Sequence, residues 1–371
     1  MLITDPNKLV PFYSIHRVWQ GVAAIAHTKG NNTFCAFYSG NIKETFGNYV
    51  MLVRAGENFN FSEPVAVAYK PGNFRCFDPV LWIDPLDRLW FFFSVMPGEE
   101  VYATICDNPD EELSFCEPFC IGRGVMMNKP TVLSNGDWLF PIAIWTLDKA
   151  KDLREGGLKD SDVPASYVYR SRDNGRTFEK IGGATLKDRD FDEHMFLEKQ
   201  DGSIEMYVRA KYGIGVCTSY DGGVSWDEGR DSGLGGPNSR FFIRRLKSGR
   251  VLLINHVNFT GRTNLTLMLS EDDGKTYPYS LTLDERYCSY PDAMECEDGF
   301  IYAVYDRERG GNCKTLAEAY NNAREITLAK ITEEDILAGK LVNPDSRMKV
   351  VVSKLTKISN ADPNPYLNIA K

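Results

Sequence analysis

The chain has 371 residues, 43% of them apolar and 25% charged, with a formal net charge of −8. That length supports a sizeable core. The acidic balance argues against nucleic acid or an anionic membrane as main partner, but not against an anionic substrate gripped by a local arginine cluster. The opening "MLITDPNKLVPFYS" lacks the basic-then-apolar order of a signal peptide, and no apolar stretch reaches the ~18 residues that span a bilayer. The expectation is a cytoplasmic protein without membrane insertion, with an exported longer form left open.

Along the chain, a polar turn followed by an apolar strand recurs. The copies are "TKGNNTFCAFY" (28–38), "DPLDRLWFFF" (84–93), "SNGDWLFPI" (134–142), "QDGSIEMYV" (200–208), "KSGRVLLIN" (247–255) and "EDGFIYAVY" (297–305). Another β-like run precedes each. A strand-only unit repeating every ~50 residues is the pattern of propeller blades, each burying its faces against its neighbours. The fold class expected is all-β, a six-bladed β-propeller of four-stranded antiparallel blades. Residues 1–371 are read as one such domain, with 341–371 as a C-terminal closing segment or tail. Helical periodicity is confined to "KTLAEAYNNAREI" (314–326) and "TEEDILAGK" (332–340). The nine cysteines are scattered, several inside apolar runs, and read as buried free thiols in a reducing compartment. Cys116 and Cys120 lie four apart with no second Cys/His pair nearby, so neither a metal nor an organic cofactor is expected.

A second repeat is sharper. "SRDNGRTF" (171–178), "SYDGGVSW" (219–226) and "SEDDGKTY" (270–277) all read Ser-x-Asp-x-Gly-x-Thr/Ser-aromatic. In such a turn the Asp holds backbone N–H groups, the Gly supplies a positive φ, and the hydroxyl ties the ends. The closing aromatic packs back into the blade. "AGENFNFSEP" (55–64) looks like a decayed fourth copy. These octets are Asp-boxes, structural pins that identify a fold and not a reaction.

The segment "FDEHMFLEKQDGSIEMYVRAKYGIG" (191–215) places Asp192, Glu193 and His194 together before a strand that ends in Arg209. Charges in strands are costly to bury unless paired or used, so this is either a solvated hairpin or half of an active site. With its Asp-boxes, the chain resembles the sialidase (neuraminidase) superfamily over nearly its whole length. That resemblance implies an axial site with three arginines on a substrate carboxylate, a tyrosine nucleophile with a glutamate base partner, and a separate acid on a loop. Sialidases depart from the two-carboxylate scheme of most glycosidases in using that tyrosine. On the family pattern Glu193 matches the base partner and Arg209 the second carboxylate-binding arginine. Arg262, eight residues before Ser270 of the last Asp-box, matches the third, and Tyr290 in "CSYPDAMECEDG" matches the nucleophile. "FDPVLWIDPLDRLWFFF", with Asp78 at its start, resembles the family's second blade.

The departures bear on specificity. Gln20 or Gly21 stands where the first arginine belongs, so the clamp keeps two of its three arginines unless Arg17 or Arg307 reaches in. The usual acid is absent before "NYVMLV", leaving Glu44, or alternatively His194, to protonate the leaving group. His194 is also a candidate substrate contact. The doublet Arg244-Arg245 points to opposite sides of a strand and is read as structural. The resulting expectation is an exo-acting, retaining glycoside hydrolase that removes a terminal acidic sugar from an oligosaccharide or glycoconjugate. The alternatives are a polysaccharide lyase acting on a uronic-acid sugar and a non-catalytic carbohydrate-binding propeller.

Overall fold

A computed structural model describes residues 1–13, 17, 19–40, 44–145, 163–307 and 325–355. Six antiparallel sheets stand in a ring as the blades of a propeller. Blade 1 holds β2 (Trp19–His27), β3 (Thr33–Gly40), β4 (Tyr49–Ala55) and β5 (Ala66–Ala68), and the short β1 (Leu2–Ile3) extends it to five strands. Blade 2 is β6 (Arg75–Ile83), β7 (Leu89–Met96), β8 (Glu100–Cys106) and β9 (Phe119–Arg123). In blade 3 the inner strand is broken into β10 (Val125–Met126) and β11 (Thr131–Val132), both paired with β12 (Trp138–Ile144), followed by β13 (Ala165–Ser171) and β14 (Glu179–Ala184). Blade 4 is β15 (Met195–Glu198), β16 (Ile204–Ala210), β17 (Gly213–Ser219) and β18 (Arg230–Asp231). Blade 5 is β19 (Phe242–Arg245), β20 (Val251–His256), β21 (Leu265–Ser270) and β22 (Tyr279–Asp284). Blade 6 is β23 (Cys288–Glu295), β24 (Ile301–Arg307), β25 (Glu325–Ile331) and β26 (Arg347–Lys354).

All six copies of the first repeat fall on the hairpin between the first and second strands of a blade, including that between β11 and β12. The second strands of blades 2, 3 and 5 are buried on both faces, which is why they read as near-continuous apolar runs. Separate apolar clusters fill the gaps between neighbouring blades. A further cluster closes blade 1 against blade 6 under α1 (Pro6–Tyr13), whose Leu9 and Phe12 share it with Val352 of β26. The closing strand β26 pairs with β25, so among the described residues blade 6 is completed by its own fourth strand. "TEEDILAGK" folds as α2 (Glu333–Ala338), capped by Thr332 in a capping box and ended by Gly339 at φ 65°. Of "KTLAEAYNNAREI", residues 314–324 lie outside the described residues and 325–326 begin β25, where strand pairing overrides the helical pattern. Among the described residues no helix is long and apolar enough to cross a membrane.

The Asp-boxes sit between the third and fourth strands of blades 3, 4 and 5. In the blade 4 copy, Asp221 Oδ1 accepts from the Val224 and Ser225 N–H groups at 3.1 and 2.9 Å, and Gly223 N–H donates to Ser219 Oγ at 2.9 Å. The same bonds recur around Asp173 and Asp272. Hydrogen bonds from the Ser225 hydroxyl and N–H hold the Asp221 carboxyl down at about 2. Gly175 is obligatory beyond its positive φ, because a Cβ there would lie 2.4 Å from the Trp90 ring of blade 2. The aromatics pack as expected, with Phe178 5.1 Å from Phe140 and Trp226 6.1 Å from Phe196.

Three inner strands share one irregularity. In β2, β6 and β23 the pairing skips two residues opposite one, looping out Val22-Ala23, Asp78-Pro79 and Tyr290-Pro291 against Phe37, Phe93 and Tyr305. The first looped-out residue has positive φ each time: 53°, 48° and 55°. Such a bulge re-aims a side chain out of the alternating pleat, and a left-handed non-glycine residue costs ~1–3 kcal/mol that the surrounding sheet must offset.

Candidate functional site

Glu193 precedes β15, in a segment that folds back along the end of β16. Asp190 N–H donates to the Arg209 carbonyl at 3.0 Å, and Phe191 and Asp192 take left-handed φ values of 61° and 44°. Neighbouring side chains here point in opposite directions. Asp192 and His194 turn toward blade 3: the Asp192 carboxylate lies 2.7 Å from Arg189 and accepts from Ser166 at 3.3 Å. Glu193, between them, is directed to the axis.

There Glu193 Oε1 accepts from the Tyr290 hydroxyl at 3.1 Å and from Arg209 Nη1 at 2.7 Å. Arg209 Nη1 also donates to the Tyr290 oxygen at 3.2 Å. Glutamate, guanidinium and phenol thus form a closed triangle joining blades 4 and 6, and all three are buried, at 2%, 4% and 6% exposure. Burial alone would lower the Arg209 pKa, but the Glu193 charge and the Tyr290 oxygen outweigh it and raise the pKa above the ordinary value. The arrangement gives the phenol a proton acceptor on one side and a cation that stabilises a developing phenolate on the other, the geometry of an activated nucleophile.

The two arginines are yoked by a residue that the sequence reading passed over. Arg209 Nε donates to Asn238 Oδ1 at 2.7 Å, and the Asn238 carbonyl accepts from Arg209 Nη2 at 3.2 Å and from Arg262 Nη2 at 3.3 Å. Asn238 Nδ2 in turn donates to Asp190 at 2.6 Å. Arg262 lies over the Tyr290 ring, 5.5 Å from its centroid, and Arg209 over Phe191 at 5.0 Å. In "GGPNSR" Asn238 reads as a turn residue, and nothing local signals its reach.

The other candidates are placed differently. His194 is buried, with Nδ1 2.8 Å from the Asp192 carbonyl and Nε2 2.8 Å from the Tyr167 carbonyl. Burial pushes its pKa down to about 4, against the pull of the two backbone carbonyls, and with a carbonyl at each ring nitrogen it is locked between blades 3 and 4 with no path to a substrate proton. Arg17 does not complete the clamp: it donates to Gln20 Oε1 at 2.8 Å and to Ser353 Oγ at 3.1 Å. Gln20 is held in the same seam, donating to the Ser353 carbonyl at 3.1 Å. The bulge position of blade 1 carries Val22 instead, whose N–H donates to Asp306 at 2.8 Å. Arg307 is paired with Glu325 at 2.6 Å. Asp78 occupies the blade 2 bulge, and Glu44 is exposed between β3 and β4, its carbonyl accepting from the buried Arg75 at 3.3 Å.

Burial raises the Asp192 carboxyl to about 6, opposed chiefly by Arg189. A carboxyl with a folded pKa above the unfolded ~3.9 binds its proton more tightly in the folded state. The fold therefore gains stability as pH falls from about 6 toward about 4, and loses it as pH rises through that window. Asp192→Asn is expected to flatten this limb, by up to about 3 kcal/mol, in urea unfolding midpoints compared at several pH values. An unchanged pH dependence in the variant would place the titrating group elsewhere.

The profile of the BNR repeat-like domain family matches residues 32–303, whereas no curated protein matches the sequence. Among solved structures, one similar to this chain is a protein of unknown function from Dyadobacter fermentans, with TM-score 0.63 and 15% identity over 78% of this chain and 90% of that one. The Hadza microbial sialidase Hz136 superposes with TM-score 0.63 and 16% identity, over 79% of this chain and 64% of its own, less than two thirds of its length. The NanB sialidase of Streptococcus pneumoniae gives TM-score 0.64 and 12% identity, over 87% of this chain and 70% of its own. At such identities the likeness is one of fold. The protein belongs to the BNR repeat-like domain family and is a divergent member with the sialidase-type six-bladed propeller.

Proposed function

We propose that the protein is an exo-acting, retaining glycoside hydrolase that releases a terminal acidic sugar from a glycan. The observation that carries this reading is the buried triangle of Tyr290, Glu193 and Arg209. Glu193 accepts the phenolic proton as Tyr290 attacks the anomeric carbon, and water then releases the sugar from the tyrosyl intermediate with net retention. A phenol suits an anomeric centre that bears a carboxylate, because an anionic nucleophile would be repelled. Arg209 and Arg262 bind that carboxylate, and charge-assisted guanidinium–carboxylate bonds are the strong ones. The position corresponding to the first arginine carries no cation, so the substrate carboxylate rests on a two-arginine clamp.

The test is a panel of aryl glycosides of N-acetylneuraminate, uronic acids and neutral deoxy sugars, with product anomers followed by proton NMR. Release of an acidic sugar with retention is expected. Absorbance of an unsaturated uronide would identify a lyase instead, and binding without turnover would identify a carbohydrate-binding propeller.

Glu44 is assigned as the acid that protonates the leaving oxygen. Glu44→Gln is then expected to slow substrates with poor leaving groups by about 10²-fold or more, while aryl glycosides of acidic phenols change little. Equal loss on both classes, read from kcat/KM against leaving-group pKa, would remove Glu44 from this role.

A further inference from the structure

At the opposite end of the axis from Tyr290, where the inner strands approach their hairpins, a cavity of about 210 Å³ opens among blades 2, 3, 5 and 6. Trp82, Lys129, Arg244, Met294 and Glu295 contribute to its wall. The break in the blade 3 inner strand, residues 127–130, turns Lys129 into the axis. Lys129 Nζ donates to the Ile25 carbonyl at 2.8 Å and is paired with Asp292. Asp292 also accepts from Ile25 N–H at 2.8 Å, leaving its other oxygen 3.7 Å from Arg240 Nη2.

Cationic donors outnumber acceptors here. Arg240 is 1% exposed, and neither of its terminal nitrogens has a hydrogen-bond partner among the described residues. Its Nε donates to Asn128 at 2.8 Å. Arg244 uses Nη2 on the Pro130 carbonyl and makes no other hydrogen bond among the described residues. Arg245, the other half of the doublet, also borders the cavity but is engaged by Asp273 and the Glu198 carbonyl. Lys129, Arg240 and Arg244 therefore face one buried carboxylate, Asp292, with Glu295 at the rim already accepting the Lys247 N–H at 2.6 Å. A buried guanidinium without full hydrogen bonding is costly, and the missing partner that the charge balance asks for is an anion.

We infer that this cavity binds a small tetrahedral oxyanion, such as inorganic phosphate or sulfate, on Arg244 and Lys129 with Arg240 behind them. The size admits such an ion with a few waters, and four N–H groups of Arg244 and the third of Lys129 are available to it. Burial and the two neighbouring guanidiniums lower the Lys129 ammonium to about 8, consistent with a cation-rich pocket that an anion relieves. The site shares no residue with the Tyr290 centre and does not depend on what that centre does.

The experiment is thermal unfolding of the full chain against increasing phosphate or sulfate, with chloride at matched ionic strength. A ligand that binds only the folded state raises the midpoint by mass action. The expected result is a saturable upward shift with phosphate and sulfate, accompanied by a change in tryptophan fluorescence from Trp82. Arg244→Gln should lose the saturable component, and Arg172→Gln, an exposed cation on the outside of blade 3, should keep it. Equal shifts with chloride, no saturation, or an undiminished shift in a folded Arg244→Gln protein would each overturn the site. If Arg244→Gln does not fold, equilibrium dialysis of labelled phosphate against the unaltered protein decides. One site displaced by sulfate supports the inference, and no retention overturns it.

Discussion

Tyr290→Phe is expected to lower kcat/KM on the acidic aryl glycoside by at least about 10²–10⁴-fold while leaving the fold intact. The two effects separate because of how the triangle is built. Loss of the phenolic oxygen removes the attacking atom, but Glu193 keeps its 2.7 Å bond to Arg209, so no charge is left unpaired. The ring, packed among the apolar side chains of blades 1 to 3, is retained. One net hydrogen bond is worth ~1 kcal/mol, and the melting temperature should fall by about 2 °C or less. Unimpaired turnover would remove Tyr290 from the chemistry. A collapse in melting temperature would make the hydroxyl a structural group first.

Arg209→Met should behave in the opposite way, with a large loss of stability beside the loss of activity. The guanidinium is the hub of the site, touching Glu193, Tyr290 and Asn238 at once. Its removal leaves Glu193 as a buried carboxylate with one neutral partner, and breaking a buried pair from one side costs ~3–5 kcal/mol. The Arg209→Met/Glu193→Gln double variant, with no charge left to strand, should be markedly more stable than Arg209→Met alone. Urea unfolding of the two single variants and the double yields the coupling directly. Additive losses would mean that Glu193 and Arg209 stabilise the fold independently, against the geometry.

The fold was legible because its signals are local. Hairpin turns and Asp-boxes carry their chemistry within about eight residues, and each copy votes for the same architecture. The pairing of Tyr290 with Glu193 has no local signal and came from the resemblance to sialidases. The positions that misled are those where the direction of a side chain depends on register. Arg17 and Gln20 precede the blade 1 bulge, and a shift of one residue sends a side chain to the other face, here into the seam with Ser353 instead of the axis. His194 looked functional because histidines so often are; its neighbour relation to Glu193 is the very alternation that turns it away. Asn128, Lys129, Asn238 and Arg240 were invisible because each acts on a partner at least 24 residues away on another strand or blade, where no local pattern records the contact.

The three matching bulges make the propeller a holder with standardised sockets. The same backbone kink presents valine in one blade, aspartate in the next and tyrosine in the last, always backed by an aromatic residue on the adjoining strand. Chemistry at the mouth of such a ring is exchangeable one side chain at a time, without re-laying a single strand. Substitution at Val22 or Asp78 therefore changes what the ring presents at that socket while every strand pairing stays in place.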